Sequence, residues 1–121
     1  MPRPPYDLEE RLLAFAVKVC RLADGFPTSA VGRHARWQLV RSATSPAANY
    51  GEVQAAESRR DFVHKLTICL KELRETAVWL TFAGRMDLQS ADQIAGVQKE
   101  CDELIRILVS SIRTASGRAS E

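Results

Sequence analysis

Cysteine is scarce in this chain. Cys20, Cys69 and Cys101 are an odd number, widely spread, with no C-x-x-C pair. That excludes a disulfide framework and reads as reduced thiols in a cytosolic protein. Long apolar runs are missing too: none approaches the roughly 20 residues of a membrane span, and the N-terminus shows no apolar signal core. A cytoplasmic chain with no membrane partner is expected. Proline and glycine are few, five and six residues, and most fall where a helix must stop. No segment alternates apolar and polar residues over a strand's length, which leaves a sheet without material. Neither sign of charge dominates. A net charge of +2 and a pI near 8.6 permit a nucleic-acid partner without requiring one.

Catalytic motifs are equally sparse. The chain has no G-x-S-x-G, P-loop, G-x-G-x-x-G or H-E-x-x-H. A di-iron bundle needs Glu-x-x-His on two helices, yet neither His34 nor His64 follows a glutamate by three. Asp61 precedes His64 at that spacing, but one such pair is too few. The cysteines fall on apolar sides of three different helices, so they read as core residues rather than metal ligands. No enzyme, cofactor or metal is expected.

What is present is helical periodicity, in four blocks. At 121 residues and 45% apolar content, one domain can bury a core unaided. Residues 1–6, with Pro2, Pro4 and Pro5, read as an extended arm. Asp7 caps a first helix whose inner stripe is Leu8, Leu12, Phe15, Ala16, Val19, Leu22 and Ala23. Leu13, Val17 and Cys20 add a second stripe, and Gly25 with Pro27 ends the helix. A second helix starts at Thr28 or Ser29 and meets Pro46, which removes a donor and presses on the carbonyl of Ser42. Either the helix ends near Thr44 or it kinks and continues. Helical character from Ala47 to Ala55 favours continuation, with the hydroxyls of Ser42 and Ser45 serving the freed backbone groups.

Ser58 with Asp61 is a capping-box variant opening a third helix, which Gly84 closes. Ser90 with Gln93 opens a fourth, where Ile94, Val97, Cys101, Leu104, Leu108 and Ile112 give a near-heptad seam. The tail from 114 to 121 reads as frayed. The expected fold is all-α, an up-down-up-down antiparallel four-helix bundle over 7–113 with a Pro-kinked second helix. The first and third helices carry more apolar surface than one bundle consumes, which points to a homo-oligomer.

Two groups of polar residues stand out. One surrounds Pro46: Arg41, Ser45, Asn49, Gly51, Glu52, Glu57 and Asp61. There Asn49, Glu52 and Glu57 can pair with Arg41, Arg59 or Arg60 and clamp the corner between the second and third helices; a ligand site is the alternative. The other is a set of basic stripes. Arg60, His64, Lys71 and Arg74 share one side of the third helix, and Lys99, Arg106 and Arg113 recur every seven on the fourth. With Arg33 and Arg36 they are candidate contacts to RNA, DNA or a nucleic-acid-processing partner, through phosphates rather than bases. Interleaved carboxylates give the competing reading, a solvated face laced with i,i+4 pairs such as Asp61–Lys65 and Lys71–Glu75 on a pure protein-interaction scaffold.

The segment from Arg41 to Glu75 also carries a resemblance. Gln38-Leu39-Val40-Arg41-Ser42-Ala43, Ser45-Pro46-Ala47-Ala48-Asn49, Tyr50-Gly51-Glu52, Glu57-Ser58-Arg59, Asp61-Phe62 and Lys71-Glu72-Leu73, with Phe26-Pro27 upstream, are similar to the four-helix-bundle family of proteins encoded in intervening sequences of bacterial 23S ribosomal RNA genes. The chain looks like the branch reading Asn-Tyr-Gly-Glu. It departs from the family outline in placing Pro46 directly after Ser45. The resemblance implies a kinked second helix, a homopentamer with a central channel, and neither enzymatic activity nor cofactor. Similar bundles that accompany diversity-generating retroelements contact a reverse transcriptase and nucleic acid.

Overall fold

A computed structural model describes the backbone of residues 4–117 and the side chains from Leu8 onward. Four helices fill almost all of it: α1 (Pro4–Asp24), α2 (Ala30–Gln54), α3 (Arg59–Arg85) and α4 (Ala91–Ala115). Three serines start three of them. The hydroxyls of Ser29, Ser58 and Ser90 accept from the N–H groups of Gly32 (3.1 Å), Asp61 (3.0 Å) and Gln93 (3.3 Å), each satisfying one orphan donor of a first turn. At α3 the Asp61 carboxylate reaches back one residue beyond the cap, accepting from the N–H of Glu57 at 3.2 Å.

Neighbouring helices run antiparallel. Ser42 faces Thr76 and Pro46 faces Cys69 across α2 and α3, while Leu73 meets Cys101 and Thr81 meets Gln98 across α3 and α4. Helix α1 packs on α2 and, through a thinner seam, on α4; among the described residues the backbones of α1 and α3, and of α2 and α4, do not come close. The result is a four-cornered bundle with α1 and α3 at opposite corners. Its centre is filled by Phe15, Leu12, Leu39, Leu66, Leu73, Leu80, Leu104 and Leu108, the apolar stripes of all four helices.

Helix α2 is continuous through Pro46, which is itself buried. The hydroxyls of Ser42 and Ser45 have other partners than the expected freed carbonyl. Ser42 lies 2.8 Å from the hydroxyl of Thr76 in the dry interior, and Ser45 accepts from the Asn49 amide at 2.8 Å. The Cys69 thiol lies 3.7 Å from the carbonyl of Pro46, within reach of a weak sulfur hydrogen bond. Small residues at this crossing let α2 and α3 approach closely, and a buried hydroxyl pair fixes their register.

Three boundaries differ from expectation. Helix α1 begins at Pro4, so the arm of residues 1–6 is helical from its fourth residue and Asp7 lies inside the helix instead of capping it; residues 1–3 lie outside the described residues. Prolines fit a first turn because its N–H groups lack intrahelical acceptors anyway. Gly84 does not close α3. The chain continues to Met86, and Asp87 takes the left-handed conformation (φ 54°). The N–H groups of Leu88 and Asp87 then return to the carbonyls of Ala83 (3.0 Å) and Gly84 (3.2 Å), the Schellman pattern. Finally, α4 runs to Ala115, past the expected start of the tail, whose residues 118–121 also lie outside the described residues.

Candidate nucleic-acid interface

The arrangement of charge begins with where the carboxylates go. On α3, Glu72 and Glu75 turn toward α2 and grip Arg41, whose guanidinium also meets the Gln38 amide and sits 6.0 Å from the Trp37 ring centre. Asp61 pairs with Lys65 at 3.1 Å, and that bond, with the N–H of Glu57, holds its carboxyl below the usual aspartate range. On α4, Glu100 and Glu103 turn toward α1 and hold Arg11 at 2.8 and 3.1 Å, which raises the arginine's pKa further. Five carboxylates are thus spent in the seams between helices or on Lys65.

The cations of the same two helices are left outside. Arg60, Lys71, Arg74, Lys99, Arg106 and Arg113 are all exposed, and among the described residues none forms an ion pair. The proposed Lys71–Glu75 pair is replaced by Arg41–Glu75, because the glutamate lies on the side of α3 that α2 covers. Asp61–Lys65 forms as expected. The carboxylates of α3 and α4 without an ion pair among the described residues are Asp92 and Asp102. Lys99, Arg106 and Arg113 climb one side of α4 at heptad spacing, about 10.5 Å apart. Arg33 and Arg36 belong elsewhere. Arg33 donates to the Thr28 carbonyl, and both sit on the side of α2 away from α3.

The polar group around Pro46 is not drawn together. Asn49 bonds to Ser45 within α2, Glu52 is exposed, and Glu57 contributes only its backbone to the α3 cap. Among the described residues no ion pair joins Glu52 or Glu57 to Arg41, Arg59 or Arg60. The clamp at this corner is Arg41 with Glu72 and Glu75, one to two turns further along, and Gly51 is exposed with open space around it. A hollow of about 720 Å³ near this end is lined by Leu8, Tyr50, Phe62, Leu66, Arg106 and Ile107 with hydroxyls of Ser110, Ser111 and Thr114, not by Asn49 or Glu52. His64 is exposed while Cys69 and Cys101 are buried, and burial pushes these thiols up to about 11 and about 12. Thiols so far from the thiolate form behave as core hydrophobes.

Sequence reasoning missed four contributors. The roles of Glu72 and Glu75 depend on Arg41, more than thirty positions away. Thr76 looked like an ordinary helix residue but forms the buried hydroxyl pair. Gly32 passed unnoticed: a Cβ there would run into the carbonyl of Pro27, so the α1–α2 connection can close only over a glycine.

Comparison with known proteins adds the following. The family model described as 23S rRNA-intervening sequence protein matches residues 7–110. A protein of unknown function from the S23 ribosomal protein family of Bacteroides thetaiotaomicron, solved by crystallography, is 32% identical. That match covers 88% of this chain and 98% of the other, with a TM-score of 0.81. No curated protein matches.

Proposed function

The chain belongs to the 23S rRNA-intervening sequence protein family, and from that premise we propose that it is a non-enzymatic, self-associating helical bundle that binds nucleic acid through exposed cations of α3 and α4, those of α4 foremost. One observation carries this reading. Of the acids on these helices, Glu72, Glu75, Glu100 and Glu103 are turned into the seams and Asp61 is held by Lys65, so that only Asp92 and Asp102 remain exposed beside Arg60, Lys71, Arg74, Lys99, Arg106 and Arg113, which stand exposed and without ion pairs among the described residues. Cations on a convex helix surface suit phosphates and give affinity without base readout. Repetition of the surface around an oligomer multiplies a modest patch into a useful one. A homopentamer of the Asn-Tyr-Gly-Glu branch is the assembly we favour. Its support is the exposed apolar surface, including Leu13, Val17, Trp37 and Val78.

Fluorescence-anisotropy titrations against structured RNA and duplex DNA, across a salt series, test the binding. The expected result is affinity that falls steeply with salt for either polymer. Replacing Lys99, Arg106 and Arg113 together by alanine should weaken binding uniformly and flatten the salt slope by roughly two to three. Absent binding, or binding indifferent to salt and to these substitutions, overturns the proposal and leaves a protein-interaction scaffold. Light scattering tests the assembly, with five times the 13.5 kDa chain mass expected.

A further inference from the structure

The outer faces of α1 and α3 carry matching stripes. On α1 the exposed residues Glu10, Leu13, Val17 and Asp24 line one side; on α3 the exposed residues are Lys71, Val78, Phe82 and Arg85. The two valines are 44% and 66% exposed, far more than a bundle position requires. Each stripe is apolar in the middle, and the residues at its two ends are opposite in charge, Glu10 and Asp24 on α1 against Lys71 and Arg85 on α3, with the exposed Arg21 lying beside Asp24 on the α1 side. The spacing agrees as well. Glu10, Val17 and Asp24 are seven apart, and so are Lys71, Val78 and Arg85, so the two sets lie at equal intervals of about 10.5 Å.

Resting on the self-association just proposed, we infer that α1 of one copy docks in parallel on α3 of the next, with Glu10 against Lys71, Val17 against Val78 and Asp24 against Arg85. Three features of the fold support this register. Helices α1 and α3 run in the same sense, so copies rotated about an axis along the bundle bring them together in parallel. Asp24 and Arg85 are the last residues of their helices, at the same end of the bundle, so the register needs no axial slip. Asp24 also sits at a helix C-terminus, where the dipole disfavours a carboxylate; an arginine from the neighbour adds to the offset that Arg21 gives in the same turn. Leu13 and Phe82 fill the intervals on either side of the valines.

Because α1 and α3 occupy opposite corners, a neighbour seated on one leaves the other free. The contact is therefore head-to-tail, the kind that closes into a ring. Lys71 is drawn into it, which leaves the Lys99, Arg106 and Arg113 stripe as the surface open to a polyanion.

Mixing separates the possibilities. Leu13, Val17 and Val78 face solvent and Phe82 does so in part, its other side packed on Trp79; circular dichroism checks that each variant folds. Variant one carries Leu13→Arg and Val17→Arg; variant two carries Val78→Arg and Phe82→Arg. Each alone should scatter as a single chain, and an equimolar mixture should form a species of two chains and no larger. In a second experiment, Asp24→Arg should loosen the assembly at least roughly tenfold. Arg85→Asp should restore it, and Lys71→Asp should not. An assembled wild type indifferent to these substitutions, or rescue by Lys71→Asp in place of Arg85→Asp, overturns the register while leaving self-association intact. A wild type that scatters as one chain removes self-association itself.

Discussion

At the scale of single residues, the least comfortable backbone belongs to Asp87, a non-glycine held at φ 54° to complete the Schellman turn after α3. Its side chain is exposed, so nothing in the packing compensates for the left-handed conformation. Asp87→Gly should raise stability by about 0.5–1 kcal/mol, measured by urea denaturation; the gain is reduced by glycine's extra freedom in the unfolded chain. The thiols give a second expectation. Cys69 and Cys101, pushed up by burial, should resist Ellman's reagent in the native protein at pH 8 and react at once in denaturant. Cys20, half-buried on α1 and raised first by desolvation and then by Asp24, should react slowly but ahead of the other two.

At the scale of elements, what could be read in advance were the signals that act over three or four residues. Ser58 with Asp61 and Ser90 with Gln93 announced the starts of α3 and α4 because a cap bond spans only that distance. Continuation of α2 past Pro46 was legible in the apolar spacing of Tyr50 and Val53, both of which are buried. The end of α3 was misread at Gly84 because a glycine is permissive, not compulsory; the turn formed where Leu88 could bury itself beneath it. The seams were illegible for a different reason. Arg11 reaches Glu100 across 89 positions, and no local pattern says which carboxylate a long side chain will choose. The hydroxyl pair of Ser42 and Thr76 belongs to the same class. Thr76→Val keeps the shape but strips Ser42 of this partner, and should cost about 1–3 kcal/mol in thermal or chemical unfolding. Arg41→Ala should cost less, since its side chain is 38% exposed and its pairs are screened by solvent; that loss should shrink further in high salt.

At the scale of the whole molecule, the bundle architecture followed from four periodic blocks with short connections, whereas the distribution of charge did not follow from composition at all. A chain with a net charge of +2 reads as almost balanced. Folding redistributes that charge, drawing Glu72 and Glu75 against Arg41 and Glu100 and Glu103 against Arg11 while the α4 cations stay exposed. Under the binding proposed above, a polyanion drifting past feels those exposed cations at a distance, before any atom touches. Ionic strength should therefore act chiefly on how quickly encounters succeed, and far less on how long the pair stays together. Stopped-flow mixing with a nucleic-acid probe reads the two separately. Under that proposal, a fold that commits four of its acids to the seams also sets which flank meets an approaching strand.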